Sequence, residues 1–261
     1  MKGTLMLRQW ALAALSVSSI LEKIQVVNAL DVSLGVDCSR LLKADTTLPG
    51  REERPILVPP AQVPRRGLHT REGRGALLHA LAHIEFNAID LALDAVWRFP
   101  GLPEDFYRDW ARVAKEEAEH FTLINDHLAS LGYTYGDFPA HRGLWDMAEK
   151  TADDPLARMA LVPCTMEAHG LDVSPAIRDK LVQAGDPAAG PILDVILRDE
   201  VGHVGAGLRW YRYLCDQRGL VPEDAYEPLS RAYGAPRRRG PYNLAARRQA
   251  GFGEEELAAL P

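Results

Sequence analysis

The sequence predicts an all-α protein organised round four long helices, on three observations. Apolar residues recur at steps of three and four from Ala76 to Arg218, and no alternating stretch long enough for a strand interrupts them. Four glutamates also sit on those apolar stripes, at matched places in the two halves of the run.

The chain has 261 residues, enough to bury a substantial core, and its 47% hydrophobic and 25% charged fractions are those of an ordinary globular protein. A net charge of −6 argues against a general nucleic-acid or anionic-membrane surface. Cys38, Cys164 and Cys215 are far apart and odd in number. That speaks against a disulfide scaffold or a cysteine zinc site and for a reducing cytosol, so a cytoplasmic location is expected.

Met1–Leu21 has a charged start and an uncharged stretch from Gln9, which could pass for a signal peptide. However, Leu7, Trp10, Ala14, Val17, Leu21 and Ile24 form one stripe, with Arg8, Ser16, Ser19, Glu22 and Lys23 off it. An amphipathic helix reads this better. No small-residue cleavage site follows, and no other segment approaches a membrane span. The organisation expected is an N-terminal helical region over 1–42, an extended arm over 43–75, a four-helix bundle over 76–218 and a tail over 219–261 that packs on it. The arm is rich in proline, glycine and charge, which suits a segment lying across a helical surface.

The first bundle helix is expected over Ala76–Phe99, ended by Pro100–Pro103, and carries Glu85. The second, Asp105–Leu131, carries Glu117 and His120 and stops at Gly132. An aromatic-rich connection over 133–154 leads to a third helix, Pro155–Asp172, which carries Glu167. Pro175–Ala184 reads as a short extra helix, and Pro191–Arg218 is the fourth, with Glu200 and His203.

Glu117-x-x-His120 and Glu200-x-x-His203 each place a carboxylate and an imidazole on one helical face, so each pair can reach one metal ion. The order along the chain is Glu, Glu-x-x-His, Glu, Glu-x-x-His, and the two halves are almost equally spaced. This matches the carboxylate-bridged dinuclear bundle, in which two helices give a glutamate and two give Glu-x-x-His. Four carboxylates crowded in a bundle interior would repel, and several would take up protons. Two divalent cations neutralise them. Oxygen-rich ligation with one imidazole per ion suits iron or manganese: Fe/Fe first, with Mn/Fe or Mn/Mn as alternatives. Glu116 and Asp199 precede the two motifs. Metal-bound histidines commonly donate their second N–H to a carboxylate, so Asp199 is expected to orient His120, and Glu116 to orient His203.

The segments LLHALAHIEFNAIDLALDAVWRF, VAKEEAEHF, YGDFPAHRGLW, MEAHGLDVSP and RDEVGHVGAGLRW resemble the DUF455 family of ferritin-like proteins, as does the tail GPYNLAARRQAGF. The similarity covers roughly residues 53–255. It implies a ferritin-like bundle with a dinuclear site on Glu85, Glu117, His120, Glu167, Glu200 and His203, but supplies no substrate. His169 stands where the family often has arginine, and is not read as a ligand.

Other residues have blander readings. His79 and His83 are expected to be hydrogen-bonded structural histidines, His83 pointing well away from Glu85 on the helix. Glu119 should face outward. Pro163 removes one helical hydrogen bond four residues before Glu167, either as a packing kink or to open room beside the metals. Tyr133, Tyr135, His141 and Trp145 either plug the core or wall a pocket. Arg237, Arg238, Arg239, Arg247 and Arg248 read as a solvated or salt-bridged surface, with an anionic substrate or RNA phosphates as the alternative.

The function expected first is a dinuclear-iron oxidoreductase that activates O2 to oxidise a small-molecule substrate, as a monomer or homodimer, with its electron donor unspecified. One turn beyond Glu167 and His120 stand Leu171 and Ile124, so neither a proton-delivering hydroxyl nor a radical-forming tyrosine is placed there. Iron oxidation, storage or peroxide removal without an organic substrate is the second reading. A non-enzymatic helical binding module is the third.

Overall fold

The structure, a computed structural model, describes residues 6–236 and 240–260. Among these residues it is all-helical, with one isolated β-bridge between Leu57 and Ala140. The chain forms two compact units, Met1–Arg142 and Gly143–Pro261.

The first unit is built on α3 (Arg71–Arg98) and α4 (Glu104–Ser130), two long helices joined by a short proline-flanked turn and packed against each other. Leu78, Ala82, Ile89, Leu93 and Val96 of α3 and Ala114, Ile124 and Leu128 of α4 are buried, as their spacing predicts. α3 passes for a membrane span by length and composition, yet 78% of its most apolar window is buried inside the protein. It starts at Arg71, not at Ala76. The Thr70 hydroxyl caps it by accepting from the Gly73 N–H at 2.9 Å. The glycines that suggested a loop serve close packing: a Cβ on Gly73 would lie 1.9 Å from the Gly67 carbonyl oxygen.

The N-terminal stripe forms two helices, α1 (Leu7–Ser16) and α2 (Ile20–Asn28), where one was expected. Val17 is extended and Ser19 caps α2, so the chain breaks between them. The facing also differs. Leu21 is 72% exposed, whereas Arg8 and Lys23, placed off the stripe, are buried. Both charges carry their own partners. Arg8 donates to the carbonyls of Asp37 (2.8 Å), Arg40 (2.7 Å) and Trp97 (2.7 Å). Lys23 Nζ lies 2.6 Å from Asp90 and 3.0 Å from the Gly50 carbonyl. Hydrogen-bonded compensation of this kind is what allows a charge inside. The arm between α2 and α3 runs extended, held by the Val58 N–H to Ala140 carbonyl bond (2.8 Å) and the Gly50 N–H to Leu15 carbonyl bond (2.9 Å).

The second unit contains α5 (Gly143–Lys150), which lies within the expected aromatic connection, and α6 (Pro155–Leu161). A π-helical segment, Val162–Glu167, then leads into α7 (Ala168–Gln183) without a break. The expected third helix and the short helix after Pro175 are thus one interrupted rod, with Pro175 inside α7. α8 (Ala189–Gln217) packs on α6, α7 and the π segment. The tail adds α9 (Pro222–Ala232), α10 (Leu244–Gln249) and α11 (Glu254–Ala258). Ala246 and Ala250 pack with Ala168, Leu171 and Val204, which seats the tail on α7 and α8. Cys38, Cys164 and Cys215 are free thiols.

Candidate metal centre

Each unit holds one half of the predicted donor set. In the first, Glu117 and His120 stand three residues apart on one face of α4, and Glu85 meets them from α3. His120 Nδ1 lies 3.4 Å from a Glu117 carboxylate oxygen and 3.5 Å from a Glu85 oxygen. All three residues are buried. Burial alone would push the His120 imidazole toward neutrality. The Glu117 and Glu85 carboxylates overcome it and lift its pKa to about 11. This pocket is built for positive charge.

In the second unit Glu200 and His203 share a face of α8, with Nδ1 3.8 Å from a Glu200 oxygen, and both are buried. Glu167 is the last residue of the π segment. The widened turn answers the Pro163 question in part. Proline cannot donate, and the i+5 spacing accommodates its ring while the Thr165 hydroxyl donates to the Ala160 carbonyl at 2.7 Å. The ring lies against α8 at Gly207, where a Cβ would be 2.3 Å from Pro163 Cβ. Gly207 stands four residues beyond His203, so this close approach sets the π segment beside the histidine's helix.

The donor set fits a metal. Glu117 and His120 in the first unit, and Glu200 and His203 in the second, are buried carboxylate–imidazole pairs of a kind that can hold a metal ion. Two donors each ~2.1 Å from a common first-row ion are at most about 4.2 Å apart. The 3.4, 3.5 and 3.8 Å separations lie inside that limit. Carboxylates with imidazole, and no thiolate among these donors, suit iron or manganese.

Of the residues expected to orient the histidines, Asp199 is partly exposed and held by both nitrogens of the Arg198 fork at 2.7 and 2.9 Å. Glu116 is exposed beside a groove of about 570 Å³ that Arg112, Lys115 and Glu119 also line. Glu119 faces outward as predicted. Leu171 and Ile124 are fully buried, so the first turn beyond Glu167 and His120 is apolar. His169 is exposed by about a third, 4.0 Å from Asp172.

His79 and His83 are hydrogen-bonded, as predicted. His79 accepts from the Gly136 N–H at 2.9 Å, and His83 touches the Tyr135 hydroxyl at 2.7 Å and the His141 carbonyl at 2.9 Å. Burial pushes both imidazoles down to about 4, so they are neutral at pH 7. Sequence reasoning missed the layer they belong to. The rings of Phe86, Phe121 and Tyr135 are in mutual contact at 5.2–5.8 Å, and Phe86 and Phe121 directly follow the candidate donors Glu85 and His120. The available signal was this adjacency of aromatic and ligand in both motifs.

Of the basic tail, Arg237, Arg238 and Arg239 lie outside the described residues. Arg247 is buried. Its guanidinium grips Asp172 at 2.7 and 3.0 Å between the rings of Tyr242 and Phe252. Arg248 pairs with Glu254 at 2.7 Å.

Comparison with known proteins agrees with this picture at the level of the family. The family profile described as "Protein of unknown function (DUF455)" matches residues 16–258. An "Uncharacterized protein" from Haemophilus influenzae is 51% identical over 212 residues, which cover 78% of this chain and 74% of the relative. No solved structure matches at a significant level. With a profile that spans nearly all of the sequence and a relative this similar, the chain belongs to the DUF455 family.

Proposed function

We propose that this protein is a dinuclear-iron oxidoreductase that activates O2 to oxidise a small-molecule substrate, on a ferritin-like arrangement of its four long helical rods. The observation that carries the reading is a pair of half-sites: Glu85 with Glu117 and His120, all buried, and Glu200 with His203, both buried, on the unit that also carries the half-buried Glu167. Each half offers two carboxylates and one imidazole, so the four negative charges of both halves balance two divalent ions. Glu117 and His120 would hold one ion and Glu200 and His203 the other, with Glu85 and Glu167 completing the set. Asp199 and Glu116 would accept the second N–H of His120 and His203, respectively, fixing each ring's tautomer. When bound, the ions supply the electrons that reduce dioxygen. The protein's own part is to set donor geometry and to exclude water, which the apolar Leu171 and Ile124 serve. The π segment that carries Glu167 is the kind of helical interruption that recurs at functional sites.

Elemental analysis of protein purified without added metal tests the reading. Two iron ions per chain are expected, and Glu117→Ala should lose most of them; Mn/Fe or Mn/Mn would correct only the metal. Wild-type protein that is metal-free and resists iron loading would overturn it in favour of a helical binding module. A cage-sized particle in light scattering would instead point to iron storage, whereas a monomer or homodimer agrees with the oxidoreductase.

A further inference from the structure

We propose that the C-terminal tail is a clamp that sets the metal affinity of the half-site on the second unit, with Asn243, Arg247 and Tyr226 as its positioning residues; this rests on the metal reading above. The need for a clamp lies in the rod that carries Glu167. Pro163 stands four residues before that glutamate and Pro175 eight residues after it. Neither can donate a backbone hydrogen bond, so the rod can bend on both sides of the donor. A carboxylate holds a metal ion firmly only when it is kept within about 0.5 Å of its productive position.

The tail closes both breaks. Pro175 has no N–H to give to the Leu171 carbonyl one turn back, and the Asn243 side-chain amide donates to that carbonyl at 3.1 Å. On the next residue, Asp172, the Asn243 backbone N–H (3.0 Å) and the Arg247 guanidinium (2.7 and 3.0 Å) converge. Arg247 also reaches the Ala168 carbonyl at 3.4 Å. At the other break the Thr165 hydroxyl gives its one proton to the Ala160 carbonyl. The Tyr226 hydroxyl of α9, 2.8 Å away, therefore donates to Thr165 and holds it in place.

The grip extends to the neighbouring helix. Ala246 and Ala250 pack against Ala168, Leu171 and Val204. A Cβ on Gly205 would lie 3.0 Å from the Ala250 carbonyl oxygen, so the end of α10 rests directly on the α8 backbone. Ala168 follows Glu167 in the chain, and Val204 follows His203. The tail thus touches the residue beside a donor on each helix and fixes how far apart the two backbones stand. The rings of Tyr242 and Phe252, on the Arg247 guanidinium at 5.1 and 5.3 Å, hold α10 in that register.

Three variants of the full-length protein test this. In Asn243→Ser the hydroxyl still caps α10 but is too short for the Leu171 carbonyl. Arg247→Lys keeps the charge and loses the fork that holds both Asp172 oxygens. Tyr226→Phe deletes one hydroxyl and keeps the test open should either of the others fail to fold. Hydrogen exchange of the metal-free protein reads the clamp, and anaerobic competition for ferrous iron with a chelator reads its effect on the site. Amides of residues 164–176 should exchange about tenfold faster than in wild type. One of the two irons should leave at a chelator concentration about tenfold lower, and its Mössbauer doublet should shift at full loading. Faster exchange with wild-type iron affinity and spectrum would make the tail a purely structural element and overturn the proposal, as would unchanged exchange. Either result from a two-iron wild type leaves the metal reading intact, whereas a wild type that binds no iron overturns both.

Discussion

Replacing Gly207 by alanine probes the contact that sets the π segment against α8. An alanine Cβ there would lie 2.3 Å from Pro163 Cβ and 2.5 Å from Cγ. Carbon atoms pack comfortably at about 3.5–4.0 Å, so helix and proline must part by more than about 1 Å. The proline ring cannot rotate away. Overpacking of this kind costs about 1–3 kcal/mol, against which the ordinary helix preference for alanine over glycine returns up to about 1 kcal/mol. The net expectation is a loss of about 1–2 kcal/mol, a fall in Tm of roughly 2–8 °C for a chain of this size. Gly202 supplies the control on the same helix. It is exposed and a Cβ there meets nothing within 4 Å, so Gly202→Ala should gain about 0.4–1 kcal/mol through the unfolded state. Thermal and urea unfolding of the two variants, with metal content measured alongside, reads both effects. Because Glu167 ends the π segment, Gly207→Ala should also retain less metal than Gly202→Ala. A Gly207→Ala protein as stable as Gly202→Ala, with full metal content, would refute the reasoning.

Three further outcomes follow from buried ionisable groups. Lys23→Met should cost about 3–5 kcal/mol in urea unfolding, because it leaves Asp90 buried without its 2.6 Å partner, and adding Asp90→Leu should recover part of the loss. Arg247→Met should destabilise by a similar ~3–5 kcal/mol, since both it and Asp172 are nearly inaccessible, and the double variant with Asp172→Leu should be less damaged than the single. His79 gives a pH dependence. Burial lowers its pKa from 6.5 to about 4, opposed only weakly by Asp137, so the unfolded chain binds more protons between those values. Its contribution is fully present above pH 6.5 and is lost as pH falls toward 4, which amounts to about 2 kcal/mol between pH 7 and pH 5. The urea midpoint of wild type should fall over that range by more than that of His79→Gln.

Much of the fold was legible because long amphipathic helices write their period directly into sequence. The rods carrying Glu85 and Glu117 end close to where Pro100–Pro103 and Gly132 placed them. The donors were legible for the same reason: a glutamate on an apolar stripe needs an explanation, and i, i+3 spacing offers one. What sequence hid were contacts that depend on tertiary partners. Arg8 and Lys23 look like solvent-facing residues until the carbonyls of Trp97 and Gly50 and the carboxylate of Asp90 come to them. Gly73 looks like a loop residue until the Gly67 carbonyl occupies the place of its side chain. Pro163 signalled an irregularity but not its form, because the π turn is fixed by Gly207 across the gap.

The Arg8 guanidinium carries a practical consequence. By donating to the Val96 and Trp97 carbonyls, it finishes the C-terminal end of α3 with a group that belongs to α1. An expression fragment trimmed to the four long rods would discard this plug along with the ammonium that neutralises Asp90. Such a fragment would begin life with a frayed rod and a stranded anion a turn or two from Glu85, and soluble yield should collapse before metal binding could be assessed.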